Sequence, residues 1–202
     1  AWLETAKVNA QHTFEKEHEK HERTAELLER IQQMLSLKRY PERIECYDIS
    51  NFQGSPIVGS MVVFVDGEPH RQSYRHYRMK EVTEQNDFAS MRELLERRLR
   101  RLLNGADKEP PDLLVVDGGK GQLSQAYAVL KEMGLQEDID VVGLAKSRVD
   151  RVSFQDDEVT RSPERVFLVG RKNPVILKKH SPVLYMMERI SDEAHRRAIT
   201  YH

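Results

Sequence analysis

The feature of this 202-residue sequence that most restricts its fold is a strand, a helix and a second strand in succession over residues 112–145. The runs PDLLVVDGG and DVVGLAK are as apolar as buried parallel strands, and GQLSQAYAVLKEMGL between them has the apolar spacing of a helix. A connection of this length that contains a helix joins parallel strands. We therefore expect a sheet that is parallel at least in this part, with helices packed on it.

The elements on either side of this unit make the predicted sheet mixed. RIECYDIS predicts a first strand, and the alternating residues of 57–80 predict a hairpin that turns at Asp66-Gly67. NDFASMRELLERRLRRLLNG predicts a helix, RVFLVGRKNPVILKK a second hairpin, and SPVLYMMERISDEAHRRAITYH a closing helix with Ser181 as its N-cap. This order of elements indicates an α/β fold with one mixed sheet and helices on both faces.

The chain divides into two predicted segments. Residues 1–38 contain no glycine or proline and repeat apolar residues at three- and four-residue spacing, which predicts one long helix that is solvated early and docked late. We assign 1–38 to an N-terminal helix or linker and 39–202 to the α/β domain. The polar residues 147–163 predict a loop within that domain.

Composition excludes several classes of protein. No stretch approaches the roughly 20 apolar residues of a membrane span, and no signal peptide is visible. The single cysteine, Cys46, excludes an internal disulfide and a cysteine-based zinc site. We expect a cytoplasmic piece of a longer protein that does not engage a membrane.

Two predicted strands end in an aspartate that precedes a turn. Asp48 closes RIECYDIS, and Asp117 closes LLVVDGG. If these strands are parallel neighbours, both carboxylates lie at the edge of the sheet where α/β proteins bind ligands. Adjacent carboxylates repel each other, and a divalent cation such as Mg²⁺ or Mn²⁺ removes that repulsion. The alternative for each residue is an ordinary turn or cap, and the pair alone does not decide between nuclease, phosphatase and nucleotide binder.

A phosphate-binding loop of the Gly-x-x-x-x-Gly-Lys-Ser/Thr type is excluded on the sequence. Leu114 takes the place of the first glycine, and Lys120 is followed by Gly121 rather than by serine or threonine. Nucleotide hydrolysis by that route is therefore not expected.

Other polar residues are candidates for the same site. His195 on the closing helix is followed by Arg196, an arrangement suited to binding a phosphate group. The alternative is a histidine whose hydrogen bonds are satisfied within the core. Asp87 opens the NDFASM helix, where capping by Asn86 or Asp87 is the alternative to a role at the metal. The arginines of RELLERRLRRLL and the arginine and tyrosine residues of HRQSYRHYRMK suit either a nucleic-acid surface or plain solvated faces.

Several of these motifs, in this order, resemble the C-terminal catalytic half of the UvrC family, the incision subunits of bacterial nucleotide excision repair. The motifs are RIECYDISNFQG, NDFASMRELLERR, PDLLVVDGGKGQ and RISDEAHRRA, and the resemblance runs from about residue 40 to the end. It implies a ribonuclease H-like domain with a mixed five-stranded sheet and flanking helices, preceded here by the long N-terminal helix. It also implies a catalytic, metal-binding set of Asp48, Asp117 and His195 that uses Mg²⁺ or Mn²⁺, with a further catalytic acidic position at Asp87.

The resemblance further implies a reaction and its partners. Members of the family cut the damaged strand of double-stranded DNA on the 5′ side of the lesion after UvrB has loaded them. On this basis we expect five contacts to phosphate or the scissile strand, from Lys120, Gln122, Lys146, Arg171 and Arg196. We expect the chain to be monomeric. Two alternatives stay open, which are a ribonuclease H-like or PIWI-like nuclease that acts on an RNA-containing duplex and a non-catalytic domain that docks DNA or UvrB.

Overall fold

The computed structural model describes residues 1–146 and 164–200, and within them the chain forms four α-helices and eight strands. The helices are α1 (Trp2–Met34), α2 (Asp87–Leu103), α3 (Lys120–Glu132) and α4 (Pro182–Thr200). The strands are β1 (Arg43–Ser50), β2 (Val58–Val65), β3 (Glu68–Pro69), β4 (Arg75–Arg78), β5 (Leu113–Asp117), β6 (Asp140–Ala145), β7 (Arg165–Leu168) and β8 (Val175–Ile176). The loop predicted at 147–163 lies outside the described residues.

All the described strands belong to one mixed sheet, in the order β3-β2-β1-β5-β6-β7-β8, with β4 also paired to β2. β5 is parallel to both β1 and β6, as the strand–helix–strand unit predicted, and the other pairs are antiparallel. This confirms the predicted α/β class. The described sheet has eight strands rather than five, because the short strand β3 and the hairpin β7–β8 extend the set formed by β4, β2, β1, β5 and β6.

The core lies on both faces of the sheet because the central strands carry buried side chains along most of their length. On one face, α4 and the last turns of α1 pack against the sheet through buried residues that include Ile44, Cys46, Val62, Phe64, Met187 and Ile190. On the other face, α2 and α3 pack through a second cluster that includes Tyr47, Met61, Leu94, Leu95, Leu114 and Val129. The predicted placement of helices on both faces is confirmed.

Helix α1 docks on the domain only at its C-terminal end. Residues 1–23 are exposed, whereas Leu28, Ile31 and Leu35 are at most 2% exposed and belong to the cluster under α4. The helix ends at Met34, and Ser36 then takes a left-handed conformation with φ of 51°. The helix is therefore solvated early and docked late, as predicted, and the division of the chain at residue 38 stays a prediction.

Local capping signals in the sequence fold as predicted. The side chain of Asn86 accepts a hydrogen bond of 3.0 Å from the backbone N–H of Ala89 and so caps α2. The hydroxyl of Ser181 accepts a hydrogen bond of 3.2 Å from the N–H of Leu184 at the start of α4. These caps satisfy backbone donors that the first helical turns leave without intrahelical partners. In the part of the chain that the structure describes, no helix is long and apolar enough to cross a membrane.

A buried ion network joins α2 to β1 and corrects one interpretation of the basic residues. Arg98 is 1% exposed, and its guanidinium donates to Glu45 at 2.8 and 3.1 Å and to Asp107 at 2.7 Å. Glu45 itself is fully buried and also accepts from the hydroxyl of Tyr47. Arg98 therefore belongs to the core between helix and sheet. It is not available to a nucleic-acid surface of the kind considered for this helix.

Candidate active site

Asp48 and Asp117 lie side by side on two parallel strands, near the carboxyl end of β1 and at the last residue of β5. β1 and β5 pair in a register that places Tyr47 opposite Val116, so the next residue of each strand is an aspartate at the same edge. After Asp117 the backbone turns at Gly118, where a φ of 142° is accessible to glycine and rarely to other residues. The glycine turn thus allows the buried strand to end on a carboxylate and the chain to enter α3.

Burial and charge repulsion act together on this carboxylate pair. Burial disfavours the charged form of Asp117, the negative charge of Asp48 adds to that effect, and together they raise the pKa of Asp117 from 3.8 to about 7. The positive charge of Lys146 opposes the rise. Either a shared proton or a bound cation therefore stabilises the pair.

His195 reaches the same edge from α4. Its Nδ1 atom lies 3.2 Å from Oδ2 of Asp48, and its side chain is 57% exposed. Asp48, only 7% exposed, thus contacts the histidine on one side and Asp117 on the other. The structure brings the three residues predicted for the catalytic set together, with Asp48 at the centre.

These three side chains are not arranged as a complete set of ligands around one metal position. Within residues 1–146 and 164–200, no group of three or more His, Cys, Asp or Glu side chains is arranged to hold a metal ion. The donor set itself still suits Mg²⁺ or Mn²⁺, because both prefer carboxylate oxygens and leave positions to water and phosphate. The raised pKa of Asp117 points the same way, since a cation at the pair would offset the repulsion that raises it.

Asp87 faces the same cleft as Asp117. The residues lining this cleft come from the start of α2 and from the β5–α3 turn, and are Gln85, Asn86, Asp87, Phe88, Asp117, Gly118 and Gln122. Asp87 is exposed and accepts a hydrogen bond of 2.6 Å from Nδ2 of Asn51, while Asn86 caps the helix. Gln122 is 8% exposed, and its Oε1 has no hydrogen-bond partner among the described residues. Gln122 therefore lines the cleft beside Asp117, and its contact with the scissile strand stays a prediction.

The basic residues predicted to contact DNA do not all lie at the edge of the sheet that carries the two aspartates. Lys146 follows β6 and acts electrostatically on Asp117. Lys120 and Arg171 line one groove with Ser124, Tyr127 and Lys172, and Arg171 donates to the Ser36 hydroxyl at 2.7 Å. Arg196 is exposed and pairs with Glu193 at 2.6 Å. Lys120 begins the helix that follows the Asp117 turn, so this end of the groove lies near the carboxylates. Arg171 follows the far end of β7, which runs antiparallel to β6, so it lies at the opposite end of the sheet from Asp117.

A second acidic group lies on the other side of Lys146, and the sequence interpretation missed it. Burial, followed by the negative charges of Glu188 and Asp192, raises the pKa of Glu164 from 4.5 to about 7, and Lys146 opposes the rise. Glu188 and Asp192 are spaced one helical turn apart on α4, which is a signal that the sequence contains. Nothing local indicates that Glu164, just before β7, meets that helix face.

Comparisons with known proteins agree with this architecture. Residues 32–199 match the family model described as the UvrC RNAse H endonuclease domain. The UvrABC system protein C of Bdellovibrio bacteriovorus is 50% identical over 200 residues, which cover 99% of this chain and 31% of that protein. The protein of the same name from Geobacter metallireducens is also 50% identical over 200 residues, covering 99% of this chain and 32% of the relative. The chain thus spans about a third of the length of these curated relatives.

Solved structures of low sequence identity are also similar. The Endonuclease V of Bacillus subtilis has 13% identity and a TM-score of 0.43, with 83% of this chain and 86% of that chain covered. The family match covers most of the domain, including both strand-end aspartates, the start of α2 and His195. The chain belongs to the UvrC RNase H endonuclease domain family.

Proposed function

We propose that this domain is a divalent-metal-dependent DNA endonuclease that makes the 5′ incision of nucleotide excision repair when UvrB loads the full-length protein. The observation that carries the proposal is the pair of strand-end carboxylates, Asp48 and Asp117, with His195 at 3.2 Å from Asp48. Membership of a nuclease-domain family supports the reaction class. The relatives' name as protein C of a UvrABC system supports the damaged-DNA substrate and the UvrB partner.

The chain's own side chains have separable roles in this reaction. Asp48 and Asp117 would hold Mg²⁺ or Mn²⁺, and His195 would orient Asp48 through its 3.2 Å contact or provide a further ligand. When bound, the cation supplies Lewis-acid stabilisation of the phosphoryl oxygens and the leaving 3′-oxygen. Lys146 offsets part of the negative charge at Asp117, which lowers the electrostatic cost of bringing a DNA phosphate to this edge. Asp87 lines the same cleft as Asp117 and would act on the same phosphate or a water bound to it.

Incision of a defined substrate tests this function. The full-length protein that contains this domain and UvrB are incubated with a lesion-bearing duplex already nicked on the 3′ side, with and without Mn²⁺, and wild type is compared with Asp117→Ala. Metal-dependent 5′ incision that disappears in Asp117→Ala is the expected result. Equal cutting by Asp117→Ala would contradict the proposal. Preference for a matched RNA–DNA hybrid would favour the ribonuclease H-like alternative, and DNA binding without cleavage under any metal condition would favour the docking domain.

Lys120→Ala and Arg171→Ala test whether the groove between α3 and the end of β7 tracks the DNA backbone. Each substitution is expected to weaken binding equally across sequences and to reduce the slope of log K against log salt by about 1, because each removes one phosphate contact. Fluorescence anisotropy over a salt series measures both quantities. Lys108→Ala is the matched control, because Lys108 is exposed in the loop before β5 and does not line this groove. A slope that the groove variants leave unchanged would exclude these contacts.

The charge of the three-residue set predicts how many cations bind without DNA. Asp48 and Asp117 supply two negative charges, and His195 supplies a nitrogen where a third carboxylate would add another. We expect calorimetric titration of Mn²⁺ into the DNA-free protein to give one tightly bound ion per chain, with a second bound only when DNA phosphate adds charge. Two tight ions without DNA would contradict this prediction. Asp117→Asn serves as the control, because it should lose the tight ion.

A further inference from the structure

A row of three side chains on adjacent strands contacts the part of α4 that carries His195. Asp48 on β1 pairs directly with Ser60 on β2, and Ser60 pairs directly with His76 on β4. Residues opposite each other in a sheet project to the same face, so all three side chains point toward α4. Each of them makes a polar contact with the last turns of that helix. The row therefore joins Asp48 to Ser60 and His76, which hold the part of α4 that carries His195.

The contact of Ser60 is with the backbone immediately before the histidine. Its hydroxyl donates a hydrogen bond of 2.9 Å to the carbonyl oxygen of Ala194, and both residues are fully buried. A buried hydroxyl without a partner costs free energy, so this bond favours one height and rotation of α4 over the sheet. Because His195 is the next residue, that bond fixes the point from which the imidazole extends toward Asp48.

His76 makes a second anchor, one helical turn further along. Its Nε2 atom lies 2.8 Å from the carbonyl oxygen of Arg197. A carbonyl only accepts hydrogen bonds, so Nε2 of His76 carries the hydrogen. The carbonyl of Arg197 lies in the last turn of α4 and also accepts a hydrogen bond of 3.1 Å from the hydroxyl of Thr200. Hydrogen bonds from two strand side chains thus hold the helix backbone on either side of His195.

Small residues on α4 let the sheet come this close. Ala194 and Ala198 face the core at 0% and 1% exposure, whereas earlier turns of the helix place Met187 and Ile190 there. With only a methyl group between helix and sheet, side chains from the strands can reach the helix backbone. His195 itself is 57% exposed, so packing around the ring restrains it little. Its position depends largely on how the backbone beneath it is held.

We propose that Ser60 and His76 are positioning residues that set the distance between His195 and Asp48. The catalytic consequence of this inference rests on the proposed nuclease function, whereas its structural part does not. An error of about 1 Å in the placement of a catalytic group can cost on the order of 100-fold in rate. A loosened anchor is therefore expected to act on the chemical step while DNA binding stays intact.

The first test compares two buried serines. Ser60→Ala removes the anchor, whereas Ser191→Ala removes a hydroxyl on α4 that is 2% exposed and has no hydrogen-bond partner among the described residues. Ser60→Ala is expected to lower kcat by roughly 10- to 100-fold at unchanged KM, and Ser191→Ala to leave both constants at wild-type values. Equal kcat in Ser60→Ala and wild type would overturn the proposal. A change confined to KM would overturn it as well.

Two substitutions of His76 test its hydrogen bond to the carbonyl of Arg197. His76→Gln keeps an N–H donor near the position of Nε2, whereas His76→Phe keeps a ring without the donor. The inference predicts that kcat falls in His76→Phe and is rescued in His76→Gln. An equal fall of kcat in both variants would show that the hydrogen bond from His76 to Arg197 does not position His195. This pair also decides the question if Ser60→Ala does not fold.

A measurement without catalysis separates this inference from the nuclease proposal. Proton–carbon NMR spectra of the metal-free protein report the ring signals of His195, and Asp48→Asn defines how they shift when the contact with the carboxylate is lost. Ser60→Ala is expected to move these signals toward the Asp48→Asn values, and Ser191→Ala to leave them in place. Unmoved signals in Ser60→Ala would refute positioning even if nuclease activity is found. Moved signals in a protein that never cleaves DNA would uphold positioning and refute the nuclease proposal.

Discussion

Asp48→Asn is expected to lower the single-turnover rate of DNA cleavage by at least roughly 1,000-fold, because a catalytic metal contributes several kcal/mol to the transition state. Asparagine keeps the shape of the side chain but removes one of the two negative charges that would hold the cation. Asp48 also contacts both Asp117 and His195, so its loss affects the whole set. The rate is measured on the UvrB-loaded, 3′-nicked duplex with saturating Mn²⁺.

The expected loss of cleavage by Asp48→Asn should not result from unfolding of the protein. The negative charge of Asp48 raises the pKa of Asp117, so its removal relieves repulsion, and the metal-free variant should be at least as stable as wild type. Asp138→Asn is the control, because Asp138 is exposed before β6, at the opposite end of that strand from Lys146. The control should cleave at the wild-type rate. Cleavage by Asp48→Asn at a rate close to wild type would remove Asp48 from the catalytic set.

The largest expected effect on stability is that of Arg98→Met, which should lower the free energy of unfolding by about 3 kcal/mol. The substitution leaves the fully buried carboxylate of Glu45 without its two bonds from Arg98. Arg43 still donates to Glu45 at 3.0 Å. The loss of stability should therefore lie near the lower end of the range observed when a buried ion pair is broken. Urea unfolding followed by circular dichroism at neutral pH measures the change.

Two further variants separate this effect from a general loss of charge. Arg101 contacts the same Asp107 but has a half-exposed side chain, so Arg101→Ala should cost less than about 1 kcal/mol. Adding Glu45→Gln to Arg98→Met should recover part of the loss, because no uncompensated buried charge remains. If Arg98→Met costs no more than Arg101→Ala, the buried network does not stabilise the fold.

The sequence predicted those parts of the fold and site that depend on local patterns. The strand–helix–strand unit of residues 112–145 implied that β5 and β6 are parallel, and the glycine turn placed Asp117 at a strand end. Asn86 and Ser181 carried their capping roles in their residue type and in their position before apolar runs. These features need only a few neighbouring residues, so their physical cause is visible without a structure.

The features that escaped the sequence depend on contacts between distant segments. Arg98 is one of several arginines on α2, and only the approach of β1 buries it against Glu45. Ser60 is a small polar residue within an apolar strand, and His76 lies in a stretch that suited a nucleic-acid surface equally well. Their roles follow from the register of β1, β2 and β4 and from the docking of α4, neither of which local periodicity specifies.

Anomalous diffraction from crystals grown with Mn²⁺ tests most directly the claim that Asp48 and Asp117 form a metal-binding pair. The account predicts an anomalous peak between the two side chains, about 2.1 Å from an oxygen atom of each, as expected for a small divalent cation with carboxylate ligands. The same peak should be missing from crystals of Asp117→Asn. A wild-type map without a peak at this pair, or with Mn²⁺ bound only elsewhere, would contradict the account.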